Sequence, residues 1–274
     1  MVQNNFNQKL IHTYFKGIKL YAKAMPFDDE IRYQDGNQVD KFSHNFLLLS
    51  QPTINPLTIR RYLDTTKSFG FSQFVTLSPD TQATIQSLLL PHTPIKESLM
   101  MMSAPIELLL KNIQISHADV TIDHLQERHQ TSFLKFNHAM DVAYGDDYAK
   151  GNGKRILEVL KQYPQHAGYL IAKQNDLILG QIGYHRFNEI GEIDEFYVRD
   201  THQHQGIGKS MFLKTIQHLK QLGVQVVMLV ANPKDQAYTI YQHWEFRDVT
   251  SLFQLRIHVK TSSKIERKIV RHAN

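Results

Sequence analysis

Apolar residues recur with two different periods along this chain, and the changes of period mark its elements. From Gly191 to Val198 the run GEIDEFYV alternates and is rich in aromatic and β-branched residues, which predicts a strand. From Ser210 to Gly223 the apolar positions Met211, Phe212, Ile216 and Leu219 fall on one helical face, with Gly223 as a natural stop. Between the two lies Gln203-His204-Gln205-Gly206-Ile207-Gly208. A glycine-rich turn entering a helix leaves several backbone N–H groups pointing one way, and with the helix dipole they make an anion site. Gly-x-Gly before a helix also occurs in ordinary strand-to-helix turns, so the turn alone does not settle its use.

The same reading covers the rest of the chain. Residues 3–25 carry Phe6, Leu10, Tyr14, Ile18 and Tyr21 near helical spacing. A buried strand is predicted over 44–50, a helix over 56–68 ending before Gly70, a strand over 72–77, a short helix over 80–89 and a strand over 97–103. Only Gly17, Gly36 and Gly70 precede residue 108, so no phosphate-binding loop can be built in this half. Beyond a boundary near Pro105 to Lys111, Ile113 to Ile115 reads as a strand and Thr121 to Val142 as a helix capped by Thr121 or Asp123. Residues 144–153, with Gly145, Gly151 and Gly153, read as a loop before a helix over 154–162. Tyr169 to Lys173 and Leu177 to His185 read as a hairpin turning at Asn175-Asp176. After the central stretch come a strand over 226–230, a helix starting at Asn232-Pro233 and ending near His243, a strand from Trp244, and a last strand over 252–259.

Composition narrows the function classes. There is no cysteine, which excludes disulfides, thiolate metal sites and a cysteine nucleophile, and suits a reducing cytoplasm. The fifteen histidines show no metal-ligand spacing, so no metal is expected. No apolar run is long enough to span a membrane, and the opening MVQNNFNQKL lacks the apolar core of a signal peptide. The net charge is 31 − 26 = +5, and residues 260–274 hold +4 of it through Lys260, Lys264, Arg267, Lys268 and Arg271 against Glu266. The remainder is near neutral, so nucleic acid is an unlikely partner and the tail is read as solvated.

Gln203-x-x-Gly206-x-Gly208 directly after a strand ending in Val198 resembles the acetyl-CoA pyrophosphate loop of the GNAT N-acetyltransferase family. Lys209-Ser210 follows too short a spacing for a P-loop, and no third glycine makes a dinucleotide fingerprint. Ala237-Tyr-Thr-Ile-Tyr241 followed by Phe246 resembles a second signature of that family. The element order from residue 113 to 259 is similar to the family's. The resemblance implies an α/β (α+β) class with the GNAT acyl-CoA N-acyltransferase fold: a mixed central sheet flanked by helices, over 109–260. Residues 1–108 would form a smaller α/β domain, a degenerate GNAT-like lobe, and 261–274 a basic tail.

What the resemblance implies for function is transfer of an acetyl group from acetyl-CoA, the co-substrate, to a primary amine of a small molecule or peptide. Phe196, Tyr197 and Val198 would offer a strand edge to the pantetheine arm. Gln203, His204, Gln205, Gly206, Ile207, Gly208 and Lys209 would hold the pyrophosphate, with Asn232 nearby. Tyr241 would protonate the departing thiolate, and Glu192, or less readily Glu195, would take the proton of the amine. By strand alternation Glu192 and Asp194 share a face and Glu195 lies on the other. Asp141, Asp146 and Asp147, in the segment that walls the acceptor pocket of this fold, favour a cationic amine. A homodimer is compatible with this reading. The chain departs from the family pattern at Lys234 and at Glu245, where asparagine and glycine are usual. A CoA-binding sensor or scaffold without catalysis is the alternative.

Overall fold

The structure is a computed structural model that describes residues 2–113 and 120–258. The chain opens with α1 (Val2–Ile18), a hairpin of β1 (Lys23–Phe27) and β2 (Glu30–Gln34), β3 (Phe46–Leu49), α2 (Pro56–Thr66), β4 (Phe71–Thr76), α3 (Pro79–Leu88), β5 (Ile95–Pro105) and α4 (Ile106–Asn112). It continues with β6 (Thr121–His124), α5 (Gln130–Asp141), α6 (Asp146–Gln162), β7 (Ala167–Gln174), β8 (Leu177–Phe187), β9 (Ile190–Val198), α7 (Ile207–Gln221), β10 (Val226–Ala231), α8 (Gln236–His243) and β11 (Arg247–His258).

All eleven strands among the described residues join one mixed sheet in the order β1-β2-β3-β4-β11-β5-β10-β9-β8-β7-β6. The order shows an exchange of strands between the two halves of the chain. The rhythm β3-α2-β4-α3-β5 recurs as β9-α7-β10-α8-β11, each with a parallel pair (β3 with β4, β9 with β10) joined through a helix. Yet β5 lies against β10 and β11 against β4, and the two exchanged strands pair antiparallel with Leu99 opposite Leu252. The sheet therefore runs unbroken across residue 108. The cores follow: Leu255 and Ile257 of β11 pack with Leu47, Ile59, Tyr62 and Phe74, whereas Met102 and Ala104 of β5 pack with Met211, Phe212, Ile216 and Leu219. Each exchanged Leu, Ile or Met side chain removed from water contributes about 1.5–3 kcal/mol, so neither half keeps its core without the other's strand.

Several local expectations are corrected. The first helix stops at Ile18, because residues 23–27 instead pair with 30–34 around Asp28, whose φ is +53°. Thr121 to His124 is a strand on β7, with Asp123 paired to Lys173 at 2.9 Å, and the helix starts only at Gln130. The strand expected over 113–115 lies largely outside the described residues, as does the basic tail, while residues 106–112 are helical. Residues 146–153 are not a loop. Helix α6 runs through both glycines, because Gly153 sits where a β-carbon would come within 3.2 Å of Leu134 and Asn137, so its bareness lets α5 and α6 approach. Asn232 does not cap a helix: its Oδ1 accepts from the Lys234 amide in a turn, and α8 begins at Gln236 after Asp235. The two strands expected after Trp244 are the single strand β11, irregular between Asp248 and Thr250.

The β3–α2 connection corresponds in the first half to the glycine-rich turn of the second. It has no glycine, and the Glu30 carboxylate accepts from the Ser50 amide at 2.7 Å and from the Gln51 amide at 3.4 Å. At the start of α2 itself, Pro56 carries no N–H and the Leu57 amide donates to Asn55 Oδ1 at 3.0 Å, so the helix start that would face a phosphate is already capped from within.

Candidate active site

The parallel pairing of β9 with β10 covers only Ile190–Glu192 against Val226–Met228. Beyond it the two strands part. β9 stays with β8 as far as Val198 opposite Gly180, while β10 stays with β5 as far as Ala231 opposite Met100. The stretch Ile193 to Val198 is thus left with a strand edge that β10 does not cover. Gly180 lets this stretch sit close, since a β-carbon there would fall 2.8 Å from the Tyr197 carbonyl and 2.9 Å from Met211 Sδ.

A cavity of about 380 Å³ opens on one side of that stretch. Phe196, Val198, Gln203, His204, Gly206, Gly208, Lys209 and Tyr241 all line it. Gly206 is left-handed at φ +81° and precedes α7 without any side-chain cap, so the first amides of the helix have no intramolecular acceptor a turn earlier and face this space. His204 is left-handed as well, at φ +60°. Gln203 secures the turn by donating to the Val198 carbonyl at 3.1 Å and to Asp200 at 3.0 Å. A β-carbon on Gly208 would rest 3.4 Å from the Phe196 ring and 3.5 Å from Val198, so a larger side chain there would lie over the open strand edge. The remaining expected cofactor residues do not line the cavity. Tyr197 points to the other face and is exposed, Ile207 is buried in the core, Gln205 bonds back to the Thr201 carbonyl, and Asn232 is held in its turn.

Tyr241 is half-buried between the Trp244 and Phe246 rings, at 6.0 and 5.8 Å between centroids. Burial, with Asp194 adding to it, pushes its pKa up to about 12, so the hydroxyl keeps its proton at neutral pH. Glu245, where the family pattern has glycine, takes φ +69°, the left-handed conformation that glycine favours.

A second cavity of about 190 Å³ lies at the point where the strands part. Glu192, Asp194 and Glu195 all line it. The expectation that Glu195 faces the other way fails because the strand is irregular here: Glu195 has φ +48° and the β8 register shifts between Gln181 and Gly183. Its carboxylate accepts from Lys41 Nζ at 2.8 Å, and the same ammonium donates to Asn152 Oδ1 at 2.9 Å. Burial works against the Lys41 charge, but Glu195 outweighs it and holds the pKa up. Glu192 is buried, with Oε2 3.4 Å from His185 Nδ1. Burial raises its pKa, against the opposing pull of His185. The first half of the chain supplies the far wall through Tyr14, Gly17, Tyr21, Lys41 and His44.

Asp141, Asp146 and Asp147 do not line this cavity. Asp141 is buried and accepts from Asn152 at 2.8 Å, and Asp146 is paired with His138 and Lys150. The wall residues from the first half and His185 were not among the sequence candidates. Gly17 within a helical run and His185 opposite Glu192 on the neighbouring strand were the available signals. Among the described residues, no group of three or more histidines and carboxylates could hold a metal, and no helix is long and apolar enough to cross a membrane.

Comparison with known proteins gives the setting. No curated protein matches the sequence. Among solved structures, a functionally unknown conserved protein from Staphylococcus epidermidis is similar in fold (TM-score 0.69, 19% identity, 89% of this chain and 97% of that one). So are a GCN5-related N-acetyltransferase from Kribbella flavida (0.60, 12%, 91% and 94%) and a tandem GNAT protein from the clavulanic acid biosynthesis pathway (0.54, 10%, 85% and 80%). The model of the acetyltransferase (GNAT) family matches residues 137–246, a span that runs from α5 to the end of the Tyr241 segment and contains both the parted strands and the glycine turn: these residues are a GNAT acetyltransferase domain by that match, and the fold around them is similar to that of the GNAT structures just named.

Proposed function

We propose that this chain transfers an acetyl group from acetyl-CoA to the primary amine of a small, cationic acceptor. The observation that carries the reading is the parted stretch Ile193 to Val198, which has the uncapped α7 turn and Tyr241 on one side and a carboxylate-lined cavity on the other. Acetyl-CoA would supply an activated acyl group on sulfur. The α7 amides and Lys209 would bind its pyrophosphate, and the open edge of β9 would orient its arm.

An alkylamine with a pKa near ~10 is an ammonium at neutral pH and must lose a proton before it attacks. Glu192 would receive that proton, a reading supported by the engagement of Glu195 with Lys41. Tyr241, protonated at neutral pH, would donate to the sulfur as its bond to the acyl carbon breaks. The inner cavity is small and roofed by the first half, which favours a small amine or a single side chain over a folded protein surface. Thiol release from acetyl-CoA, followed across polyamines, aminoglycosides, amino acids and peptides, tests the proposal. Release stimulated by at least one amine supports it. Binding of acetyl-CoA by calorimetry with no stimulated release would favour the sensor or scaffold reading.

A further inference from the structure

Glu192 and His185 stand opposite each other across β9 and β8, and both are buried in the wall of the inner cavity. His185 Nδ1 lies 3.4 Å from Glu192 Oε2, and its Nε2 lies 3.4 Å from the Tyr21 hydroxyl of the segment after α1. The fold is shaped around this pair. Helix α1 presents Gly17 to it, and a β-carbon at that position would overlap Glu192 Oε2 and come within 3.2 Å of His185 Nδ1. The other titratable and charged groups facing the pair are Asp194 and Glu195 on β9, Tyr14 and Tyr21 from the α1 side, and Lys41 and His44 from the segment between β2 and β3. Lys41 is committed to Glu195, so the nearest partner for an acidic proton on Glu192 is the imidazole.

We infer that Glu192 and His185 act as one base, with Glu192 meeting the acceptor amine and His185, steadied by Tyr21, as the positioning residue that stores the proton. The step balances. A proton leaves the acceptor ammonium for a Glu192 oxygen, Oε2 passes a proton to His185 Nδ1, and the pair ends as carboxylate and imidazolium, with Nε2–H donating to the Tyr21 oxygen. The active form is carboxylate beside neutral imidazole. Burial disfavours the imidazolium, but Glu192 more than compensates and holds the His185 pKa above the ordinary histidine value, which makes the pair a stronger base than a lone carboxylate.

The kinetic side of this inference rests on the acetyltransferase reading; the proton sharing does not. Histidine ring nitrogens labelled with 15N can be titrated by NMR in the full chain, with the His185 signal identified by its loss in His185→Gln. The wild-type midpoint should lie above ~6.5, and Glu192→Gln should lower it by about a unit or more, a tenfold loss of proton affinity. Tyr21→Phe should lower it in the same direction by less. A His185 midpoint unchanged by Glu192→Gln overturns the inference. In kinetics, His185→Gln should move the acid limb of kcat/KM to lower pH and lower its plateau, whereas a merely structural role would lower the plateau and leave the limb in place. If His185→Gln does not fold, an acid limb moved to lower pH in Tyr21→Phe supports the inference and an unmoved one counts against it. If no amine is a substrate while the NMR coupling persists, the acetyltransferase reading fails and the shared proton stands.

Discussion

Lys41, in the segment after β2, donates to Glu195 of β9 at 2.8 Å, and both side chains are largely withdrawn from water, at 10% and 15% exposure. This contact ties the first half of the chain to the irregular turn of the parted strand. A buried pair is weak evidence for net stability, but removal of one partner leaves an uncompensated charge. Lys41→Met should therefore destabilise the fold by about 3 kcal/mol, a Tm fall on the order of 10 °C. It should also free Glu195 within the cavity and raise KM for the acceptor more than KM for acetyl-CoA. A variant with wild-type Tm and unchanged KM values would show that the pair does neither.

His44 gives a prediction for stability against pH. It is buried, stacked on Tyr21 at 4.5 Å between centroids and 3.4 Å from Asp35. Burial, and then the Lys41 ammonium, push its pKa from 6.5 down to about 4. A group held neutral in the fold contributes stability above its unfolded pKa and loses it as pH falls toward its folded pKa. From pH 6.5 to 4 the protein should lose on the order of 3 kcal/mol through this residue. His44→Gln lacks the titration, so the stability gap between the two proteins should close across that window. Urea melts at pH 7, 5 and 4 that ran parallel for both would exclude the effect.

What was legible in the sequence is what local rules govern. The strand to Val198, the glycine turn and the face of α7 depend on neighbouring residues, and the α7 apolar positions form the core as their spacing implies. The second half of the chain was harder wherever packing overrode a local signal. Gly151 and Gly153 suggested a loop, yet Gly153 is what lets α6 lie close on α5. Alternation put Glu195 on the wrong face because it assumes a regular strand, and a left-handed residue breaks the period. The inner cavity was beyond reach for another reason. Gly17, Tyr21 and Lys41 meet Glu192 and Glu195 only because the sheet brings the two halves together, and no spacing along the chain records that.

The glycine turn yields a test of the outer cavity. At residue 208 a β-carbon makes only ordinary contacts with Phe196 and Val198, so Gly208→Val should fold, with Tm changed by no more than a few degrees. Its methyl groups would stand over the open strand edge and beside the uncapped amides. Acetyl-CoA affinity should fall at least tenfold, about 1.4 kcal/mol, read by calorimetry. Wild-type affinity in a folded variant would place the anion site elsewhere.

Tyr241→Phe separates binding from chemistry. The substitution removes one hydroxyl and keeps the ring between Trp244 and Phe246, so packing should hold. Burial keeps this hydroxyl protonated up to a pKa of about 12, and a thiol has a pKa near ~8.5. The proton is therefore needed only as the sulfur acquires charge, when the bond to carbon breaks. Acetyl-CoA affinity should change little, while kcat should fall by a factor on the order of 10²–10⁴ at neutral pH. Above the thiol pKa the leaving group departs more readily as thiolate, so the deficit should shrink in alkaline buffer. It should not depend on the basicity of the amine, because in the proposed mechanism Tyr241 would serve the sulfur and Glu192 the nitrogen. A kcat for Tyr241→Phe equal to wild type on the best acceptor would remove the hydroxyl from the reaction and leave Tyr241 as an aromatic wall of the cavity.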